Sequence, residues 1–458
     1  MPIVLKIGGS NLHNAESLRR IVRVVRQYNK PVILVVSAFN GLTDRLYEVI
    51  REEKKNEEVI VSFLDEISQR FEEIIVSELI DEQIRESTSL AFQKRLSRLA
   101  DLLRGISLIG GVPDFIEDEI VSFGERFSSL LVNAYLQQNG IISEELLPED
   151  IGFITDGQFR NASVDYELST PGLTKAIKDK HYVIPGFYGI SRDKKVTVFG
   201  RGGSDYSAAA IAACINAEYV DVWKDVNGYM SGDPSLIENP VQIESLSYTE
   251  AAELSYFGAK ILHPRTVEPL KAKLIPVRIF NFKHSGNSPH AFTVIGGDIN
   301  DPQRGIKSVT YSDEIRTLTL RGPGVGITPG ILSKVSHQLE LNRLNIKSVI
   351  TTQVAISLLL HESDVPLAHR LIDEMAIAGI DLIDESQQLS LIAAVGEGIL
   401  TQTGVAAGIF GAVARENINV DFISFGASRV AIYFLVKRKD RDAALSAIHE
   451  QLFSGDTF

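Results

Sequence analysis

The chain has 458 residues, 44% hydrophobic and 23% charged, enough for two or three compact units that each bury a core. Its 46 Lys plus Arg against 59 Asp plus Glu give a formal charge of -13, which repels a phosphate backbone and excludes nucleic acid as a general partner. One cysteine, Cys214, excludes an internal disulfide framework and a multi-cysteine zinc site, and points to a reducing, cytoplasmic setting.

The amino terminus enters a buried-strand pattern at once, residues 3–7, without the basic flank and apolar core of a secretory signal. No apolar run has the length of a membrane span. From residue 3 to 220, short β-branched runs alternate with amphipathic stretches, the pattern of a mostly parallel sheet covered by helices. Strands are expected at 3–7, 32–36, 182–185 and 196–199, and helices at 15–27 and 125–138. Residues 51–104 mix charged and apolar residues at helical period without proline or glycine, which predicts a helical hairpin lying over the sheet.

The motifs that carry chemistry follow the same order. VLKIGGSN places Lys6 before a Gly8-Gly9 turn, then Ser10, where bare backbone amides and a helix start can meet an anion. SAFNGLTD puts Ser37 and Thr43 after the strand 32–36, at the end where open α/β sheets bind ligands. VSFGER places Glu125 at an expected helix start, where a carboxylate also suits the helix dipole without any further role. FGRGGSDYSAAAIAA repeats the strand and glycine turn. Arg201 can clamp a carboxylate beside Gly202, Gly203 and Ser204, and Asp205 can orient a lysine or a magnesium ion. A plain Arg201–Asp205 salt bridge is the alternative. DVWKDVNGYMSGDP, with Lys224, Asp225 and Met230, runs on to Ser235 in a turn-rich loop. YFGAKILHPRT follows with Lys260 and Ile261, and His263-Pro264 reads as a rigid bend.

From about residue 306 the pattern changes to strand, helix, two strands and helix, and it occurs twice. The first copy has strands at 316–320, 346–351 and 354–360 with helices at 330–341 and 365–378. The second has strands at 389–395, 420–424 and 430–436 and helices ending near 417 and 452. The second copy lacks a closing strand, and the apolar run 306–311 is left to fill that edge, which would interlock the two small domains.

KIGGS, SAFNGLT, SFGE, GRGGSD, WKDVNGYMSGDP and FGAKILHP, in this order, resemble the aspartate kinase family of the amino acid kinase fold, and the tail resembles its paired ACT domains. The resemblance implies a three-layer α/β kinase domain over 1–297 with a mostly parallel sheet, then ferredoxin-like α+β ACT domains at 306–384 and 385–458. It implies that Lys6, Gly8, Gly9 and Ser10 meet the ATP phosphates, and that Lys224, Asp225, Met230, Ser235, Lys260 and Ile261 lie at the nucleotide. Ser37, Thr43, Glu125, Arg201, Gly202, Gly203 and Ser204 would form the aspartate site, with Lys6, Asp205 and Lys260 catalytic. ATP and magnesium are the implied cofactors, with no protein metal ligand assigned. Lysine or threonine is the implied effector class at the ACT domains, and a homodimer or dimer of dimers the implied assembly. This chain departs from the common pattern at Ser10-Asn11 (usually Thr-Ser), Lys224 (Thr), Met230 (Tyr) and Ser235 (Arg). A glutamate or acetylglutamate kinase and a non-catalytic amino acid sensor are the competing readings.

Overall fold

The computed structural model describes residues 1–52, 57–259, 261–285, 292–296, 305–386 and 388–453. They form two compact units, one of Met1–Tyr229, Gln242–Ser255 and Lys260–Asp301, the other of Met230–Val241, Tyr256–Ala259 and Pro302–Phe458.

The first unit runs β1 Ile3–Ile7, α1 Ala15–Val25, β2 Val32–Val36, α2 Leu42–Arg51, α3 Glu57–Glu78, α4 Glu82–Ile109, α5 Asp114–Gln138, β3 Ser143–Glu145, α6 Pro148–Ile151, β4 Ile154–Thr155 and α7 Tyr166–Ala176. It continues with β5 His181–Pro185, β6 Tyr188–Ser191, β7 Val196–Val198, α8 Gly203–Ile215, β8 Val220–Lys224, β9 Ser245–Leu246, α9 Tyr248–Tyr256, α10 Pro264–Lys273, β10 Val277–Asn281 and β11 Thr293–Ile295. Eight strands make one sheet in the order β3-β5-β2-β1-β8-β10-β11-β9. β1 and β2 are buried along their whole length, as strands covered on both faces must be. β1 lies parallel between β2 and β8. The chain builds outward from β1 on one side through β2 and on the other through β8, so the crevice at their carboxyl ends is the switch point where such sheets bind ligands.

The strand expected at 196–199 is present as β7, but it belongs to a separate three-stranded sheet, β4-β6-β7. The helix expected from residue 125 begins eleven positions earlier, at Asp114 behind Pro113, which stands just outside the helix where its missing N–H costs no intrahelical bond. The hairpin of α3 and α4 does more than shield the sheet. Phe71 of α3 stacks on Phe92 of α4 at 5.3 Å, meets Phe127 of α5 at 5.3 Å, and meets Phe39 of the loop after β2 at 5.4 Å. The aromatic cluster thus supports the segment that carries Ser37 and Thr43. Asp81 caps α4 by accepting the Ile84 amide at 2.9 Å. Asp81→Ala is expected to weaken the hairpin by about 1 kcal/mol, read as faster amide hydrogen exchange over the first turn of α4.

The second unit holds β12 Ser308–Ser312, β13 Ile315–Arg321, α11 Ile331–Leu341, β14 Ile346–Thr351, β15 Ala355–His361, α12 Val365–Glu374, β16 Leu382–Glu385, β17 Leu389–Val395, α13 Val405–Arg415, β18 Phe422–Ser424, β19 Ala431–Lys437 and α14 Arg441–Phe453. Its two antiparallel sheets have the orders β14-β15-β13-β16 and β12-β17-β19-β18, the same ferredoxin-like order in each. In the first, the copy's own β16 takes the edge. In the second, β12 takes it, pairing with β17 from Ser308↔Val395 to Ser312↔Leu391.

Residues 230–241, read from sequence as part of the 1–297 domain, pack in this second unit. The Val309 amide donates to Ser231 O and the Ser308 hydroxyl to Met230 O, both at 2.8 Å. Ser231 Oγ lies 2.8 Å from His449 Nε2, and Ile237 joins the core formed by Ile392, Phe434 and Ile448. Gly258, at φ +129°, approaches so closely that a Cβ would stand 1.8 Å from Tyr311 O, a position only glycine can hold.

Candidate functional site

Parallel register brings Lys6 opposite Val222, and the two-residue alternation of a strand puts Lys224 on the same face of the sheet as Val222. α8 crosses that face. Its residues from Gly203 to Cys214 are all buried, and their small side chains let the helix lie close to the strands. Asp205, in its first turn, therefore lies between the two lysines. It forms an ion pair with Lys6 and accepts from Lys224 Nζ at 2.9 Å. Lys6 is 4% exposed and Asp205 7%, while the Lys224 side chain is 16% exposed. Burial works against the Asp205 charge, yet attraction from Lys224 and Lys6 outweighs it and holds the carboxyl well below the usual range. Burial in turn lowers Lys6, opposed by Asp205.

The glycine turn abuts this group. The Gly8 amide faces Trp223 O at 3.4 Å, and Asn11 Nδ2 donates to the same oxygen at 3.0 Å. A Cβ on Gly9 would approach the Ala38 carbonyl oxygen to 3.0 Å, so that position is tight for a side chain, while one on Gly8 would sit 3.4 Å from Lys6 Nζ, in ordinary contact. Ser10 is exposed at its rim.

Glu125 lies well inside α5, not at its start, so the helix-dipole explanation for it is withdrawn. Gly124 makes its position possible, since a Cβ there would come within 2.8 Å of Ala38 Cβ and 3.4 Å of Thr43 Oγ1. Glu125 is 3% exposed. Ser204 Oγ donates to its Oε1 at 3.1 Å, while Oε2 is buried with no hydrogen-bond partner. Burial pushes its carboxyl up to about 8, against the pull of the Ala38 amide, Ser204 and Lys6. A half-satisfied buried carboxyl is costly and awaits a donor. Ser37 is buried nearby, its Cβ 3.6 Å from the position of a Gly9 Cβ.

The turn Arg201-Gly202-Gly203 is held from below. Gly202, at φ +71°, leaves no room for a side chain, because a Cβ would fall 2.3 Å from His263 Cβ. His263 caps α10, its Nδ1 accepting the Arg265 amide at 3.4 Å, consistent with a bend. Arg201 itself is exposed. Sequence reasoning missed two supports of this turn. Asp118, fully buried, accepts the Val198 and Arg160 amides at 2.9 Å each. Arg265 donates to Asn161 Oδ1 at 2.6 Å, Phe199 O at 3.0 Å and Ala162 O at 2.6 Å. A mid-helix aspartate and an arginine beside His-Pro were the only signals.

Lys6, Gly8, Gly9, Ser37, Thr43, Glu125, Gly202, Gly203, Ser204, Asp205 and Lys224 thus gather in one region of the first unit, about the carboxyl ends of β1 and β8 and the start of α8. Asp225 is exposed and Ile261 half-buried. Met230 and Ser235 belong to the second unit, where Ser235 bonds Asp233 Oδ1. Lys260 lies outside the described residues.

The amino acid kinase family profile matches residues 1–281 and an ACT domain profile matches residues 392–452. The bifunctional aspartokinase/homoserine dehydrogenase of Buchnera aphidicola is 28% identical across 98% of this chain and 56% of its own length. Aspartokinase 2, chloroplastic, of Arabidopsis thaliana is 29% identical across 99% of this chain and 84% of its own. The chain therefore spans little more than half of the bifunctional relatives. Among solved structures, E. coli aspartokinase III in complex with aspartate and ADP (R-state) has a TM-score of 0.83 at 26% identity, covering 99% of this chain and 100% of that one. The same enzyme in complex with lysine and aspartate (T-state) has a TM-score of 0.79 at 25% identity, covering 98% and 99%.

Proposed function

The chain belongs to the amino acid kinase family, and from that premise we propose that it is an aspartate kinase, transferring the γ-phosphoryl group of ATP to the side-chain carboxylate of L-aspartate. The observation that carries this reading is a lysine pair on a buried aspartate next to a buried carboxyl with an unfilled acceptor. The first suits a polyanion and the second an ammonium group, as aspartate plus ATP require. The aspartokinase relatives and the aspartokinase III likeness support it.

The aspartate side chain has an ordinary pKa of about 3.9 and is an ionised nucleophile at neutral pH. No base is needed. Its oxygen forms a bond to the γ-phosphorus as the bond to the β,γ-bridging oxygen breaks, and the electron pair leaves with ADP. The barrier is charge repulsion, so positioning and neutralisation make the catalyst. Lys6 and the Gly8-Gly9 amides take the phosphates, and Lys260 with Asp225 and Ile261 the nucleotide by resemblance. Glu125 with Ser204 binds the substrate ammonium, Arg201 a carboxylate, and Thr43 and Ser37 the remaining polar edge. Among the described residues no group of three or more His, Cys, Asp or Glu is placed to hold a metal, and Asp205 offers one carboxylate already facing two lysines. Magnesium fits as the counter-ion of ATP, supplying neutralisation when bound.

We further propose a kinase domain within 1–297 that lacks 230–241 and 256–259, ACT domains at 306–384 and 385–458 with β12 closing the second, lysine as effector, at least a homodimer, and a cytoplasmic location. No described helix is long and apolar enough to cross a membrane. ATP-dependent hydroxamate formation is expected with aspartate and to be absent with glutamate or N-acetylglutamate. Turnover of either of the latter in place of aspartate reassigns the substrate, and none with any of the three makes the chain a non-catalytic member.

A further inference from the structure

Residues 37–41, between β2 and α2, have no strand or helix of their own, yet their backbone is held from two sides. The Phe39 amide donates to Ser128 Oγ at 2.9 Å, and that hydroxyl donates in turn to Gly124 O at 2.9 Å. The Asn40 amide donates to Leu12 O at 2.8 Å, just after the first glycine turn. Ser128 is fully buried. It stands three residues after Glu125, and residues three apart share a helix face. Two successive loop amides therefore face one stripe of α5, Phe39 toward Ser128 and Ala38 toward the Glu125 carboxyl, whose ionised form it favours. Because the peptide unit is planar, fixing the Phe39 amide leaves the Ala38 amide only the two soft dihedrals of one residue.

Resting on the kinase reading, we propose that Ser128 is a positioning residue of the aspartate site: by holding the Phe39 amide it aims the Ala38 amide at the Glu125 carboxyl, the group that receives the substrate's ammonium. Ser128 touches neither substrate nor nucleotide. The aimed amide helps the buried carboxyl ionise as the ammonium arrives, together with Ser204 of α8 and Lys6 of β1. Tyr47 of α2 also senses the Glu125 charge, but burial pushes its hydroxyl up to about 12, so it stays neutral while Glu125 titrates. The alternative is a plain core serine that pairs a buried amide and has no bearing on Glu125.

Calorimetric titration of aspartate into the full chain at pH 7 and at pH 9 separates these views. In Ser128→Ala the Ala38 amide is no longer aimed and the Glu125 carboxyl is harder to ionise. The loss of aspartate affinity is therefore expected to be about tenfold at pH 7 and to shrink to about twofold at pH 9, where most of the proton is already lost. ADP affinity should stay within about twofold of wild type. Ser128→Cys, a weaker acceptor of similar size, should fall between Ala and wild type. In a Glu125→Gln background Ser128→Ala should cost no further aspartate affinity, because the two act through one group. A wild-type aspartate affinity in Ser128→Ala, or a loss equal at both pH values, overturns the proposal whatever happens to melting temperature. Should the Ala variant not fold, the Cys variant is judged by the same two criteria. Wild type that binds aspartate but forms no hydroxamate with ATP overturns the kinase reading while leaving this test intact. Wild type that binds no aspartate removes both.

Discussion

Lys6→Ala is expected to lower kcat by on the order of a hundredfold or more with little change in the aspartate requirement. Lys6 sits at the carboxyl end of β1, beside the glycine turn and 4% exposed. Its charge acts in a site shielded from water, where it counts most as negative charge shifts among the transferring oxygens. Removing it also leaves Asp205 with Lys224 alone, so circular dichroism and melting temperature must accompany the kinetics. Steady-state rates at saturating ATP and aspartate decide the matter. A folded variant with near-normal kcat would take the phosphate role away from the first glycine turn.

Glu125→Gln should raise the aspartate requirement roughly ten- to hundredfold, the size of one charge-assisted contact at a buried site, and leave ATP binding nearly as it was. Its pH behaviour is more telling. The Glu125 carboxyl titrates at about 8 in the folded chain against an ordinary 4.5. The folded form therefore holds a proton that the unfolded form has released. The stability this gives is complete below about pH 4.5 and is lost as pH rises through 8. An incoming ammonium group favours the ionised form, so aspartate binding should expel that proton. The apparent aspartate requirement of wild type should fall at least about tenfold from pH 6 to pH 8, and Glu125→Gln should be flat over that range. Melting curves should diverge oppositely, with the Gln variant gaining on wild type as pH rises. An unchanged aspartate requirement in both Glu125→Gln and Arg201→Ala would remove these residues from the substrate site.

The glycine turns, β1, β2 and the twofold pattern of the tail were legible because each is a local signal: a buried β-branched run, a Gly-Gly break, a 3.6-residue period. The neighbours of each motif were not. That Lys6 and Lys224 meet on one aspartate depends on β1 and β8 being adjacent, a pairing of residues more than two hundred positions apart. Glu125 was placed at a helix start because Gly124 looks like a boundary. In the structure it is the opposite, a mid-helix gap that lets α5 press against Ala38. Asp118 and Arg265 bind backbone groups, whose positions no side-chain pattern announces.

The excursion of residues 230–241 and 256–259 into the second unit has a consequence for how the molecule can be made. Ser231 is tied locally to Val241, but its carbonyl accepts the Val309 amide, its hydroxyl meets His449, and Ile237 lies in one core with Ile448. A ribosome delivers these distant partners last. Residues 230–241 and 256–259 therefore complete their packing only once the second unit has been made. The two units thus do not follow one another along the chain as successive domains ordinarily do. For the same reason no single cut separates them. A chain ended near residue 297 would keep the segment and lose everything it rests on, exposing Ile237 and leaving Gly258 without the backbone it was shaped to meet. A gene fusion or shuffling event that breaks near residue 297 would carry off a kinase with a piece of its neighbour's core still attached.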